Sequence, residues 1–303
     1  MDDPGPLGTF LASRRAQLQP PDVGLLTYGE RRRVPGLRRE EVAQLAGVGF
    51  SYYSRLEQGQ SLNASPEVLD AIARALRLTE TERRHLHALA RPPRPAPART
   101  RDTPERVTEE TRHLLAAMGD APALVLGRRT DVLAWNRCGH ALFAGHLPFA
   151  APDRAAGRPN MTGLVFLDPH LRDLYADWPA KARAVVGNLR LLVGRDPQDP
   201  ALRRLVGTLS IESAEFARLW ADHRVRDCDV AGYSMRHPLV GELTVTQQAL
   251  PVPLAPGQRL VVATAPAGSD AAVSLSLLAH LVSAPPERPV GLDTTAGGGK
   301  KHV

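Results

Sequence analysis

The sequence predicts two domains, an all-α domain followed by an α+β domain whose sheet is mostly antiparallel. Three observations support this division of the 303 residues. Helix signals with short turns fill residues 1–90, and residues 91–104 are rich in proline and arginine, as in a linker. Strand and helix signals then alternate over residues 105–284, whereas residues 285–303 have the composition of a disordered tail.

The composition is that of an ordinary globular protein, with 43% hydrophobic and 23% charged residues. No apolar run approaches the ~18 residues that span a bilayer, and no signal peptide is evident, so we expect a cytoplasmic protein without a membrane partner. The net charge of +6 permits binding to nucleic acid. Cys138 and Cys228 cannot by themselves supply a disulfide framework or a four-ligand zinc site, and we expect no cofactor.

Capping signals mark the helices of the first domain. The first helix is predicted from about Pro6 to Leu18, before a pair of prolines. Ser65 followed by Pro66 is a typical N-cap and first helical position. Thr79 and Glu82 have the spacing of a capping box, in which each side chain satisfies a free backbone N–H at the helix start.

A helix-turn-helix pattern lies within Leu37–Gly59. Its first helix is predicted over Arg39–Ala46, and Gly47 follows where the chain turns steeply, because glycine accepts the left-handed backbone of such a turn. The second helix is predicted over Phe50–Gln58, with Tyr53 on its buried face. This arrangement is typical of DNA-binding domains, although a small helical bundle with solvated arginines remains an alternative.

We expect two groups of side chains to contact double-stranded DNA. Those on the outer face of the second helix would read base edges, since arginine pairs with guanine and serine contacts any base. Those of the preceding loop and first helix would contact phosphates, which fix the register of the protein. The expected DNA-binding residues are Arg31, Arg32, Arg33, Arg38, Arg39, Phe50, Ser51, Ser54 and Arg55.

The second domain contains alternating strand and helix signals. Ala123–Leu126 and Asp131–Trp135 predict a β-hairpin, and Asn136 then caps a helix. An apolar stripe at i, i+3, i+4 and i+7 over residues 182–193 predicts a longer helix that ends at Gly194. Further helices are expected after Asp168, Asp199 and Ser213, strands at about Val230–Arg236, Gly241–Leu250 and Arg259–Ala265, and a closing helix over Ser269–Val282.

The motifs of common enzyme classes do not occur in the sequence. Gly47 and Gly49 lack the third glycine of a dinucleotide-binding loop, because Tyr52 stands there. Lys300 is followed by Lys301 rather than by the Ser or Thr of a P-loop, and the zinc-protease and nucleophile-elbow patterns are missing. We therefore expect no enzyme activity, and an enzyme fused to a DNA-binding domain is the less favoured alternative.

The segments RRRVPGLRREEVAQLAGV and YYSRLEQG resemble the XRE-type helix-turn-helix and, more narrowly, the MmyB-like transcription regulators. The resemblance continues through residues 166–169, 216–220 and 237–243, and it covers roughly Leu7–Leu281. The sequence departs from the family at Tyr52, where such proteins often have tryptophan. The resemblance implies that an XRE-type domain precedes a PAS-like ligand-binding domain. It also implies a charge-assisted pair between Arg15 and Glu57.

The resemblance further implies that the PAS-like domain encloses an apolar, fatty-acid-like ligand. The ligand carboxylate would need a cationic partner, because an unpaired buried charge is very costly, and Arg236 is the preferred candidate. The expected ligand-binding residues are Trp135, Phe166, Tyr175, Trp178, Trp220, His223 and Arg236.

The sequence thus predicts a transcription regulator that binds a double-stranded DNA operator, senses a small apolar ligand and forms a homodimer. In the main alternative, the second domain only dimerises or docks a protein partner. A domain that binds lipid would favour the first hypothesis, whereas an apo domain with a large exposed apolar patch would favour the second.

Overall fold

The structure is a computed structural model that describes residues 5–25, 36–60, 64–90, 104–222, 230–253 and 255–283. The N-terminal domain is helical, as predicted. Its elements are α1 (Gly5–Gln17), a 3-10 helix (Pro20–Val23), α2 (Arg39–Ala46), α3 (Phe50–Glu57), α4 (Pro66–Ala75) and α5 (Glu80–Ala90).

Apolar side chains from each helix of the N-terminal domain share one core. Fully buried members are Leu11, Leu56, Ile72 and Leu86, which come from α1, α3, α4 and α5. The predicted caps are confirmed. The Ser65 hydroxyl accepts a hydrogen bond from the Val68 N–H at 3.4 Å, and the Glu82 carboxylate accepts one from the Thr79 N–H at 2.8 Å. Local hydrogen bonds therefore set the helix starts, and burial of the apolar faces holds the helices together.

The C-terminal domain combines helices with a five-stranded sheet. Its first elements are α6 (Glu109–Ala117), β1 (Ala123–Leu126), β2 (Val132–Trp135), α7 (Arg137–Ala144), a 3-10 helix (Ala151–Asp153), α8 (Met161–Leu167) and α9 (Pro169–Leu174). The remaining elements are α10 (Trp178–Arg195), α11 (Pro200–Glu212), α12 (Ala214–Ala221), β3 (Val230–His237), β4 (Gly241–Pro251), β5 (Arg259–Thr264) and α13 (Asp270–Ser283).

The sheet has the strand order β2-β1-β5-β4-β3, and every neighbouring pair is antiparallel. This confirms the predicted α+β class. One face carries Val125 and Val262 and is covered by Leu115 of α6. The other face carries Val245 and Ala263 and packs against the layer formed by α7 to α13. Alternate residues of each strand therefore enter two different apolar layers, as the pleat of a strand requires.

Helix α10 differs from its prediction at both ends. It begins at Trp178 because the Asp177 carboxylate accepts a hydrogen bond from the Ala180 N–H at 2.9 Å, which caps the helix one turn before the apolar stripe. It also continues through Gly194 to Arg195, so the expected stop at Gly194 is wrong. That glycine is needed for close packing against α5 and not for ending the helix.

The two domains contact each other along α10. Leu191 of this helix is 7% exposed and belongs to the apolar core of the N-terminal domain. The Gln17 side-chain amide at the end of α1 also donates a hydrogen bond to the Asp222 carbonyl after α12, at 3.3 Å. A buried side chain of one domain thus completes the core of the other.

Candidate DNA-binding surface and ligand cavity

The turn of the helix-turn-helix has the geometry that the sequence predicts. Gly47 has φ +66°, in the left-handed region, and its N–H bonds back to the last turn of α2. The Val48 N–H then donates to the Ala43 carbonyl at 3.0 Å. The chain is redirected within three residues, so that α3 begins at Phe50 and crosses α2.

Helix α3 presents a buried face and an exposed face. Tyr53 and Leu56 are fully buried. On the opposite side, Phe50 is 53% exposed, Ser51 and Arg55 are exposed, and Ser54 is half-buried. The side chains that we predicted to read bases are therefore accessible to a DNA groove.

The carboxylate of Glu57 joins the first three helices. It is 2% exposed and accepts two hydrogen bonds from Arg15 of α1, at 2.9 and 2.8 Å, and one from Nε of Arg39 of α2, at 2.8 Å. Arg15 also donates to the Leu37 carbonyl at 2.7 Å. Burial alone would raise the pKa of Glu57, but the hydrogen bonds from the two arginines hold it below its usual value. The predicted pair of Arg15 and Glu57 is confirmed.

The C-terminal domain contains a partly open cavity of about 90 Å³ between the inner face of the sheet and α10. Apolar side chains form most of its wall, among them Leu124 and Val261 on the sheet and Val185 on α10. Met161 and Phe143 close further parts of it. A space with this lining favours an apolar guest.

One wall of the cavity holds a buried cation. Lys181 of α10 is 7% exposed, and its Nζ donates a hydrogen bond to Oε1 of Gln247 at 3.0 Å. The same Nζ lies 4.0 Å from the ring centroid of Tyr233 and 4.7 Å from that of Tyr175. The Gln247 amide donates in turn to the Tyr175 hydroxyl at 3.3 Å. Two aromatic rings and an amide thus hold an ammonium group at the cavity wall.

A second polar group in the wall consists of hydroxyls. The side-chain oxygens of Thr130 and Thr162 are 2.8 Å apart, and Thr130 also donates to the Asn160 side chain at 3.1 Å. Thr130 has φ +66°, which is uncommon for a residue other than glycine. These hydrogen bonds hold a strained backbone beside the cavity.

Comparison with protein-family models gives two matches. The model of the MmyB-like transcription regulator ligand binding domain matches residues 107–278, which is more than half of the chain. A helix-turn-helix domain model matches residues 6–86. The chain belongs to the MmyB-like transcription regulators. No curated protein matched it.

This MmyB-like chain is a DNA-binding transcription regulator with a ligand-binding domain. The cavity lies inside the segment that the ligand-binding model matches, and the exposed face of α3 lies inside the helix-turn-helix match. The two candidate sites therefore fall in the domains whose family descriptions fit them.

The predicted DNA-binding residues have different surroundings in the regulator. Phe50, Ser51, Ser54 and Arg55 share α3, as described above. Nη1 of Arg38 lies 3.4 Å from Oε1 of Glu40. Nε of Arg39 donates a hydrogen bond to the Glu57 carboxylate, and the Arg39 side chain stays partly exposed. Arg31, Arg32 and Arg33 lie outside the described residues. The expected phosphate contacts therefore stay predictions.

Among the predicted ligand-binding residues, Tyr175 lines the cavity, whereas the large aromatic residues belong to the core beside it. The indole N–H groups of Trp135 and Trp178 donate to backbone carbonyls, each at 2.8 Å. Phe166 packs edge-on against Trp178, with ring centroids 5.7 Å apart. Trp220 is stacked on Phe216 in α12. His223 lies outside the described residues.

The structure places Arg236 away from the cavity. Residues of β3 alternate between the faces of the sheet, so Tyr233 and Met235 point inward while Arg236 points outward. Its side chain is 62% exposed, and Nε lies 3.7 Å from Oε1 of Glu242. The cations that line the cavity are Lys181 of α10 and Arg259 of β5, and neither was predicted from the sequence. One signal was available, since this arginine-rich chain has only three lysines and Lys181 alone stands beside an apolar helix stripe.

Two further findings concern the described part of the chain. It contains no group of three or more His, Cys, Asp or Glu side chains that could hold a metal ion. No helix within it is long and apolar enough to cross a membrane.

Proposed function

We propose that the ligand-binding domain senses a fatty-acid-like molecule whose carboxylate pairs with Lys181 and whose chain enters the apolar cavity. The observation that supports this proposal is the buried ammonium group of Lys181 beside the apolar side chains of a cavity wall that also includes the half-buried Arg259. A carboxylate placed there would form a charge-assisted hydrogen bond in a low-dielectric site, which is stronger than a bond between neutral groups.

The energetic scale supports a chain of medium length. Burying eight to twelve methylene groups at ~0.8 kcal/mol each contributes roughly 6–10 kcal/mol before the costs of ordering. Micromolar affinity is then attainable after those costs. The space of about 90 Å³ is small for such a chain, so binding requires adaptable side chains such as Met161 to change rotamer and the cavity wall to move.

Calorimetric titration of the full chain with saturated fatty acids of six to fourteen carbons tests the proposal. We expect affinity to increase up to one preferred length and Lys181→Met to weaken binding of that acid tenfold or more. The affinity for the matching fatty alcohol, which has no charge, should fall much less in Lys181→Met. Arg236→Met is the control, because it removes an exposed cation from the same domain. Absence of binding at every length, or full affinity in Lys181→Met, would refute the proposal.

The proposal assigns sequence-specific operator binding to an XRE-type domain, with α3 reading bases through Phe50, Ser51, Ser54 and Arg55. Arg31, Arg32, Arg33, Arg38 and Arg39 would contact phosphates. Exposure of the outer face of α3 supports this arrangement. Because the target is chromosomal DNA, the proposal also places the regulator in the cytoplasm.

We also propose that the regulator is a homodimer. Three apolar side chains of α13 lie on one exposed face at i, i+4 and i+8, with Val273 65%, Leu277 50% and Leu281 49% exposed. Apolar stripes of this kind mark contact surfaces. Light scattering during gel filtration should give the mass of a dimer for the wild type and of a monomer for Leu277→Lys. A dimer would bind half-sites about 34 Å apart on one face of the duplex.

A further inference from the structure

Helix α10 carries contacts to both candidate sites. Lys181, Val185 and Asn188 line the ligand cavity, whereas Leu191 and Gly194, further along the same helix, contact the N-terminal domain. The helix rises 1.5 Å per residue, so the rigid segment from Lys181 to Gly194, which carries both sets of contacts, spans roughly 20 Å.

The contact at the far end of α10 is close and specific. A Cβ added to Gly194 would lie 2.5 Å from Cε1 of His85 and 3.4 Å from Cδ2 of Leu89, both on α5. The His85 ring packs edge-on against Phe10 of α1, with centroids 5.1 Å apart. Leu191 enters the core of the N-terminal domain one turn earlier. Only a residue without a side chain leaves room for the His85 ring at this point of α10.

Space for movement lies beside this contact. A cleft of about 290 Å³ between the domains is lined by Thr9 and Phe10 of α1, His85 of α5, and Arg190 and Val193 of α10. The interface is therefore only partly filled, and shifts of one or two ångströms, which are typical of coupled helices, do not require the cores to unfold.

The DNA-reading face is not part of the domain contact. The contact uses α1 and α5, whereas Phe50 and Arg55 on α3 stay exposed in the same structure. Movement of α10 would therefore change the orientation of the DNA-binding domain without covering the recognition helix.

We propose that α10 transmits occupancy of the cavity to the DNA-binding domain through the contact of Gly194 with His85 and Leu89. A guest that pushes Val185 outward displaces the helix, and the rigid helix shifts α5 and α1 with it. Operator affinity then changes because the two re-oriented domains of the dimer no longer fit both half-sites. This coupling rests on the proposed homodimer, and on the proposed ligand class only for the identity of the natural guest.

A double-mutant cycle in the full chain tests the coupling without any ligand. Val185→Phe fills the cavity from α10 and imitates an occupied state, with Val185→Ile as the milder change if thermal unfolding shows that Phe is not accommodated. Gly194→Ala displaces the His85 ring and so disrupts the contact between α10 and α5. Gly207→Ala is the matched control, because its Cβ would meet nothing within 4 Å on the neighbouring helix α11. Affinity is measured by fluorescence anisotropy on the duplex that the wild type selects from random DNA.

We expect Val185→Phe to change operator affinity fivefold or more. In the Gly194→Ala background, Val185→Phe should change operator affinity less than twofold. In the Gly207→Ala background, its effect on operator affinity should be as large as in the wild type. The NMR signal of the His85 Cε1 proton should also shift in Val185→Phe. An unchanged operator affinity in Val185→Phe, or an equal change in both glycine backgrounds, overturns the coupling.

Decanoate, added to the wild type and to Gly194→Ala, separates this coupling from the proposed ligand class. Decanoate that binds both proteins but shifts operator affinity only in the wild type supports both proposals. If decanoate shifts the operator affinity of both proteins equally, the coupling is overturned and the ligand class is not. Decanoate that does not bind counts against the ligand class, and the cycle with Val185→Phe still decides the coupling.

Discussion

The guanidinium of Arg15 meets the carboxylate of Glu57 in a paired contact, with Nε 2.9 Å from Oε2 and Nη2 2.8 Å from Oε1. Since Glu57 is buried, its removal leaves two arginines without their common acceptor. We expect Glu57→Ala to lower the free energy of unfolding by about 2–4 kcal/mol. Urea denaturation measures this change.

The control for this prediction is Glu40→Ala, which removes an exposed carboxylate from the neighbouring helix α2. Its effect should stay within about 0.5 kcal/mol, as for most surface substitutions. If Glu57→Ala were as mild as Glu40→Ala, the buried pair would not stabilise the helix-turn-helix.

Arg55 is expected to read a base. Arg55→Ala should reduce the binding free energy for the selected operator by about 1–3 kcal/mol and have little effect on random duplex DNA. Arg218→Ala removes the same charge from an exposed position in the ligand-binding domain and should change neither affinity. Equal weakening of operator and random DNA by Arg55→Ala would show that this arginine contacts phosphate.

His85 should make stability depend on pH. Burial, with smaller contributions from Arg190 and Arg195, lowers the pKa of His85 to about 4. The unfolded chain binds this proton near pH 6.5, while the folded chain stays neutral until about pH 4. Stability is therefore lost as the pH falls between these values, by up to about 3 kcal/mol.

The measurement is chemical denaturation at several pH values between 4 and 7. His85→Gln should remove this part of the pH dependence, because the glutamine side chain does not titrate. His113→Gln, at an exposed position of α6, should leave it intact. If the free energy of unfolding depended on pH with the same slope in the wild type, His85→Gln and His113→Gln, other groups would cause the pH dependence.

Gly139 allows α7 to lie directly on β1. A Cβ at this position would collide with the carbonyl oxygen of Ala123, a backbone atom that cannot move cheaply. We expect Gly139→Ala to destabilise the chain by about 1–3 kcal/mol, although alanine is the better helix former. Gly207→Ala has open space and should be neutral or stabilising by up to about 1 kcal/mol. Thermal unfolding of both variants checks the contrast.

The parts of the fold that depend on neighbouring residues could be predicted from the sequence. The capping box of Thr79 and Glu82 and the left-handed Gly47 need only local geometry. The pair of Arg15 and Glu57 joins distant segments, and it was predicted from the family resemblance rather than from spacing.

The ligand cavity could be predicted only in part. Its wall is set by which helix covers which strand, and a single sequence does not fix that. Trp178 and Phe166 come from separate elements, yet they pack edge-on in the core because the positive edge of one aromatic ring is attracted to the negative face of the other. A cation was expected on β3 at Arg236, but strand alternation turns that residue outward. The cations that line the cavity come from α10 at Lys181 and from β5 at Arg259. The contact of Gly194 with α5 has no local signature.

Leu191 limits how freely the two domains of this chain can be exchanged. Its side chain fills a place in the core of a domain from which it is separated by more than a hundred residues of sequence. In a fragment ending near residue 90, the site of the Leu191 side chain would be open to water. In a chimaera that joins a different ligand-binding domain at the linker, no side chain would fill this site. New ligand preferences are therefore easier to reach by substitution in the cavity wall than by recombination of whole domains.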